Sequence, residues 1–91
     1  MAQSAKHITF IGRVQGVGFR FTAYNIASRH RLTGFVRNVL DGTVEMVVQG
    51  PPDDIDACIR DLNNAFAGYI RQTKIEEVSP NPQHADFKIT F

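Results

Sequence analysis

The stretch Gly12-Arg13-Val14-Gln15-Gly16-Val17-Gly18-Phe19-Arg20 holds the residues of this chain best suited to chemistry. It follows an apolar-alternating run and precedes a run with helical spacing, so it reads as a turn from strand to helix. Gly16 and Gly18, at alternate positions, allow positive φ and let the backbone approach a ligand with no Cβ in the way. Successive amides in such a turn can point inward as an anion-binding nest. The helix after it adds unpaired N–H groups and the positive end of its dipole. Arg20 stands where turn becomes helix, so its guanidinium can fork onto the same anion. The chemistry that suits this set is the gripping of a tetrahedral oxyanion, phosphate above all. From spacing alone, a glycine-rich turn that merely joins strand to helix fits as well.

The familiar phosphate motifs do not fit the stretch. A Walker loop needs Gly, four residues, then Gly-Lys-Ser/Thr, but the fifth residue after Gly12 is Val17 and no lysine follows. The dinucleotide fingerprint would want a third glycine where Phe21 stands. A phosphatase with a cysteine nucleophile needs a thiolate in the loop, and the single cysteine, Cys58, lies far along the chain. What is left is an anion loop without a nucleophile. Elsewhere the polar residues read blandly. His7, His30 and His84 have no ligand spacing between them. Cys58 falls on an apolar helical face and reads as a small core residue. Asp53, Asp54 and Asp56 mark a helix start and lack the glycine and distal glutamate of a calcium loop. Arg13 and Arg37 flank the two candidate segments, either adding positive field or standing as solvated strand residues.

The elements that must position the loop can be read from periodicity. With 91 residues, 43% of them hydrophobic and 21% charged, the composition is that of one small globular domain spanning 1–91. A net charge of +1 gives no field for non-specific binding to nucleic acid or a membrane surface. The lone cysteine fits a reducing compartment, and no apolar run reaches membrane-spanning length, so a soluble, cytoplasmic protein is expected. Residues 1–6 carry no periodic pattern and are expected to form a flexible leader.

From 7 to 14, Ile8, Phe10 and Val14 alternate with polar residues as a half-buried strand. Phe19, Ala23, Ile26, Ala27 and His30 then fall at helical spacing, widened by Phe21 and Tyr24, in a helix expected to end near Gly34 with Arg29 and Arg31 in its last turn. Strands are expected at 35–40 and 43–49, joined at Asp41-Gly42. A two-residue turn there would put Arg37 on the face of Val44, Met46 and Val48, so either Arg37 reaches the sheet edge or a bulge or odd-length loop shifts the parity. Gly50-Pro51-Pro52-Asp53-Asp54 opens a second helix, whose stripe runs through Ile55, Cys58, Ile59, Leu62 and Phe66 towards a stop at Gly68. The charged run 69–78 suits an edge strand, 79–82 a loop, and Phe87, Ile89 and Phe91 a last short strand running to the end. The order is β-α-β-β-α-β with a short fifth strand: an α+β sandwich with an antiparallel sheet and both helices on one face.

The nine-residue stretch closely resembles the signature of the acylphosphatase family. So does a second block, Gly34-Phe35-Val36-Arg37-Asn38, followed by Asp41-Gly42-Thr43-Val44-Glu45 and Gly50. The resemblance runs from about residue 6 to the end and implies the family's ferredoxin-like fold. It also implies hydrolysis of the carboxylic–phosphoric anhydride of small-molecule acyl phosphates, with no metal and no cofactor. Carried onto this chain, the family's phosphate-binding arginine is Arg20 and its loop amides are those of Gln15, Gly16, Val17, Gly18, Phe19 and Arg20. Its water-orienting asparagine is Asn38. A monomer, with no nucleic-acid or membrane partner, is expected. Two departures stand out: Phe35 where many members have Trp, and Ala65-Phe66-Ala67-Gly68-Tyr69 without the usual proline turn.

Two rival readings share the pattern. A binding-only module would use the same cradle to sense or carry phosphate, but a water-holding amide at Asn38 is superfluous for binding. An RNA-recognition module shares the element order, but Val44-Glu45-Met46-Val47-Val48 offers no aromatic for base stacking.

Overall fold

The computed structural model describes residues 3–91. Five strands and two helices alternate as β1 (Ser4–Gly12), α1 (Phe19–Arg29), β2 (Thr33–Asn38), β3 (Val44–Gly50), α2 (Pro52–Ala65), β4 (Ile70–Val78) and β5 (Phe87–Ile89). The sheet order is β4-β1-β3-β2-β5. β1 and β2 therefore point the same way with β3 between them, and β3 and β4 do so around β1, giving two interleaved β-α-β units. The sheet is mixed, not wholly antiparallel as expected, because β5 lies parallel to β2. Its direction follows from the connection. Gln49 holds the 79–86 segment against one end of the sheet, its Nε2 donating to the Asn81 carbonyl at 3.0 Å and its Oε1 accepting from the Asn81 amide at 2.7 Å. β5 thus starts at the end where β4 stops and runs along β2.

The core lies between the sheet and the helices. Alternation supplies Ile8, Phe10, Val36, Val44, Met46 and Val48 from one sheet face; helical spacing supplies Phe19, Ala23, Ile26 and Ala27 from α1 and Ile55, Cys58, Ile59 and Leu62 from α2. One aromatic column matters for the loop. The Phe19 ring, at the first position of α1, sits 4.8 Å from Phe10 of β1 and 4.7 Å from Phe66 at the end of α2. This contact pins the start of α1 to both β1 and the second helix.

Several boundaries differ from the sequence expectation. Ser4–Lys6 are no leader: they pair with Gly50, Gln49 and Val48 of β3, a partner too distant in sequence to leave a local pattern. The rest of that expectation, residues 1 and 2, lies outside the described residues. α1 stops at Arg29, and Arg31 follows at φ 57, because the chain turns at once into β2. Phe21 and Tyr24 do not widen the buried stripe; they are 66% and 39% exposed. Asp41-Gly42 is no two-residue turn. Asp41 accepts bonds from the Thr43 amide and hydroxyl at 3.0 and 2.7 Å, drawing both residues into a five-residue loop, 39–43. The odd length settles the parity: Arg37 pairs with Glu45 on the helix-free face. β4 is the edge strand expected, and β5 ends at Ile89, short of Phe91. No helix among the described residues is long and apolar enough to cross a membrane.

Candidate active site

The strand-to-helix loop leaves its donors unused. Among the described residues, no carbonyl or side chain accepts a hydrogen bond from the amides of 15–20. Gly16 and Gly18 sit at φ 76 and 79, the left-handed region that a side chain disfavours. A Cβ on either would meet nothing within 4 Å, so conformation and open approach, not crowding, call for glycine there. Gly18 is the N-cap of α1 and offers no side chain to satisfy the first turn, which also carries no acidic residue. The contrast with α2 is direct: its first turn holds Asp53 and Asp54, and proline sits at its start. One helix N-terminus is neutralised from within, while the other keeps its positive end bare.

Above that end lies a cleft of about 300 Å³. Gly16, Gly18, Phe19, Arg20 and Asn38 all line it. Strand alternation explains the place of Asn38: it shares the helix-side face with Gly34 and Val36, but lies past the start of α1, so its carboxamide is left half-buried and without a hydrogen-bond partner among the described residues. Arg20 has no carboxylate within ion-pair distance among the described residues; its guanidinium instead lies under the ring of Phe91, 5.1 Å from the centroid.

Of the residues singled out from sequence, the cleft brings together Gly16, Gly18, Phe19, Arg20 and Asn38, while Gln15 and Val17 do not line it. Gln15 has a different attachment. Its Nε2 donates to the Val39 carbonyl at 2.7 Å and the Thr43 carbonyl at 2.9 Å, tying the anion loop to the loop that follows Asn38. That link was invisible in sequence, since its acceptors are main-chain atoms 24 and 28 residues away. Phe21, Ile89 and Phe91 also line the cleft. The available signal for Phe21 was its place directly after Arg20; none existed for the other two, whose position depends on where β5 joins the sheet.

Arg13 and Arg37 do not line the cleft. Arg13 lies 5.9 Å from the Tyr69 ring centroid, and Arg37 pairs with Glu45 on the opposite sheet face. There the Glu45 carboxylate also accepts from His7 Nε2 at 2.8 Å, and that bond, with Arg37 beside it, holds its pKa below the ordinary value. His30 lies near Asp54 and Asp61, and His84 near Phe35. Burial pushes the Cys58 thiol up to about 12, helped by the nearby Asp61, so it stays protonated and inert in the core. None of these groups lines the cleft, to which the described residues bring amide donors, one guanidinium and one carboxamide.

Known proteins bear the same architecture. The acylphosphatase family model matches residues 6–89. The acylphosphatase of Methanospirillum hungatei is 47% identical over 60 residues, 66% of each chain. That of Chlorobaculum tepidum is 34% identical over 90 residues, 98% of each chain. The crystal structure of acylphosphatase from Bacillus subtilis superimposes with a TM-score of 0.88 at 30% identity, covering 97% of this chain and 99% of that one. Hydrolysis of acyl phosphates is the activity of that family. With its interleaved β-α-β units and bare helix start, and a family match running over nearly its whole length, the chain belongs to the acylphosphatase family.

Proposed function

We propose that the chain hydrolyses acyl phosphates in this cleft, with the loop amides of 15–20 and Arg20 holding the phosphoryl group and Asn38 aiming the attacking water. One observation carries the reading: an uncapped, acid-free helix start, its amides without a partner among the described residues, shares one cleft with the Asn38 carboxamide and with Arg20, which has no ion-pair partner among those residues.

The chemistry asks for little more. In an acyl phosphate the bond that breaks joins phosphorus to the carboxyl oxygen, and the carboxylate departs with the electron pair. A carboxylic acid ionises at about pH 4, so the carboxylate is stable near neutral pH and no general acid is needed to protonate it. A water oxygen forms the new bond to phosphorus, and its proton passes to a phosphoryl oxygen of the substrate. Phosphoryl transfer depends mainly on positioning and on electrostatic support for the three equatorial oxygens. Fixed amides and a guanidinium provide that support without reorganising. Asn38 has one carbonyl acceptor and two N–H donors, enough to orient a water while leaving its proton in place. Carboxylate departure needs no Lewis acid, so the reading is of an enzyme working without metal or cofactor. We read it further as a monomeric protein of a reducing cytoplasmic compartment, acting on a free small molecule.

Hydrolysis of benzoyl phosphate in buffer containing a chelator tests the reading. The wild-type chain should turn the substrate over, and Arg20→Gln should lose about 3–4 kcal/mol of transition-state support, roughly 10²–10³-fold in rate. No turnover, turnover abolished by the chelator, or an Arg20→Gln enzyme within about tenfold of wild type would overturn it.

A further inference from the structure

The cleft has two chemically different walls. The polar wall is the amide loop with Arg20 and Asn38; the other is Phe21, Ile89 and Phe91. We propose that this apolar wall seats the acyl group and makes the site selective for extended or aromatic uncharged acyl phosphates over acetyl phosphate. The proposal rests on the functional reading above and specifies its substrate class.

Folding gives no reason for the two aromatics to be where they are. Phe21 is 66% exposed and Phe91 95% exposed, whereas the rings that build the core, Phe10 and Phe19, are buried. Two exposed phenylalanines on one rim, with Ile89 beside them, form a patch and not scattered apolar surface. Their position relative to the phosphoryl site is fixed from both sides. Phe21 follows Arg20 directly in the first turn of α1, and the Phe91 ring stands 5.1 Å from the Arg20 guanidinium. An acyl group attached to a phosphate held by Arg20 must leave that phosphate within reach of these rings. The cleft, at about 300 Å³, is as large as the smaller sites that hold a whole organic ligand, so it has room beyond the phosphoryl group. Among the described residues lining the cleft, Arg20 also has the only ionisable side chain. A second charge on the acyl group would find no partner there once Arg20 holds phosphate, so a charged acyl chain is disfavoured.

A homologous series separates acyl contact from chemistry. Acetyl, butanoyl and hexanoyl phosphates release carboxylates of nearly equal basicity, so the reacting bond is constant while apolar length grows. Complete burial of a methylene gives about fourfold in affinity; on an open wall about twofold per methylene is expected, or roughly ten- to twentyfold in kcat/KM from acetyl to hexanoyl, carried mostly by KM. Phe91→Ala and Phe21→Ala should each compress that ratio to below about fourfold, and Phe91→Leu should keep most of it. Both rings are exposed, so the variants keep the fold, which circular dichroism checks. A flat series in a wild type that turns over acetyl phosphate would overturn the proposal and leave the hydrolase reading standing. A ratio unchanged in both alanine variants would equally overturn it. Failure of every acyl phosphate to react would sink the hydrolase reading itself, and this proposal with it.

Discussion

Replacing Gln15 with alanine tests whether the anion loop depends on a tether to the strand end that carries Asn38. Gln15 is exposed and makes two bonds, to Val39 O at 2.7 Å and Thr43 O at 2.9 Å. Neither acceptor is orphaned by its loss: Val39 O also accepts from the Gly42 amide at 3.0 Å and Thr43 O from the Val39 amide at 2.9 Å. Water can take up the vacated lone pairs, so each bond falls at the low end of the usual net contribution, about 0.5–1 kcal/mol. The pair then contributes about 1–2 kcal/mol, a fall in Tm of roughly 4–16 °C for a domain of this size. The same tether fixes the spacing between the amides and Asn38. Small misplacements cost catalysis heavily, about a hundredfold for an ångström. If the full tether energy is felt in the transition state, kcat/KM should fall about five- to thirtyfold. Gln15→Glu makes a sharper variant, because a carboxylate keeps the length but can donate neither bond and brings negative charge beside the anion loop. It should be at least as impaired as the alanine variant. The assay is continuous ultraviolet detection of benzoyl phosphate hydrolysis, paired with thermal melts. An alanine variant within twofold of wild type in kcat/KM, with Tm unchanged, would refute the tether.

Two further expectations concern the frame. A Cβ at Gly34 would lie 1.9 Å from the Val47 carbonyl of β3, at a φ of 132 that side chains rarely adopt, so Gly34→Ala should cost about 3–4 kcal/mol or more and show as a collapsed Tm or lack of folded protein. Glu45 has its folded pKa held below the ordinary 4.5 by the His7 bond and by Arg37. Its contribution is thus complete above about pH 4.5, where the unfolded carboxylate is also ionised, and is lost as the pH falls through the lower folded value. Thermal melts from pH 6 to 3 should show Glu45→Gln less stable than wild type at the upper end, with the gap closing below pH 4.5. A gap that stays constant across the range would contradict that account.

How far the sequence could be read depended on whether the cause was local. The α2 stripe of Ile55, Cys58, Ile59 and Leu62 and its prolines and acids belong to one segment, and its helix starts where the pattern puts it, though it ends at Ala65, with Phe66 as its C-cap, short of the expected stop at Gly68. The same holds for the glycine loop, whose positive φ angles are properties of Gly16 and Gly18 themselves. Long-range causes left no such trace. Ser4 enters β1 only because Gly50 is there to pair with it, and β5 runs parallel only because Gln49 anchors the returning chain at Asn81. Arg37 is the intermediate case. Its parity conflict was visible, but the resolution lay in Asp41, whose side chain captures Thr43 and lengthens the loop. At the cleft, loop glycines and Arg20 were legible from type and spacing, whereas the wall formed by Ile89 and Phe91 required knowing the neighbour of β2.

The central claim is a division of labour, with amides and guanidinium binding the phosphoryl group while Asn38 serves only the nucleophile. Asn38→Ala examined with two readouts tests it most directly: kcat for benzoyl phosphate, and inhibition by inorganic phosphate. The account expects kcat to drop by about 10²-fold or more, as for loss of one preorganised polar group, with phosphate inhibition within about twofold of wild type. Full turnover in Asn38→Ala, or a loss of phosphate affinity matching the loss of rate, would contradict it.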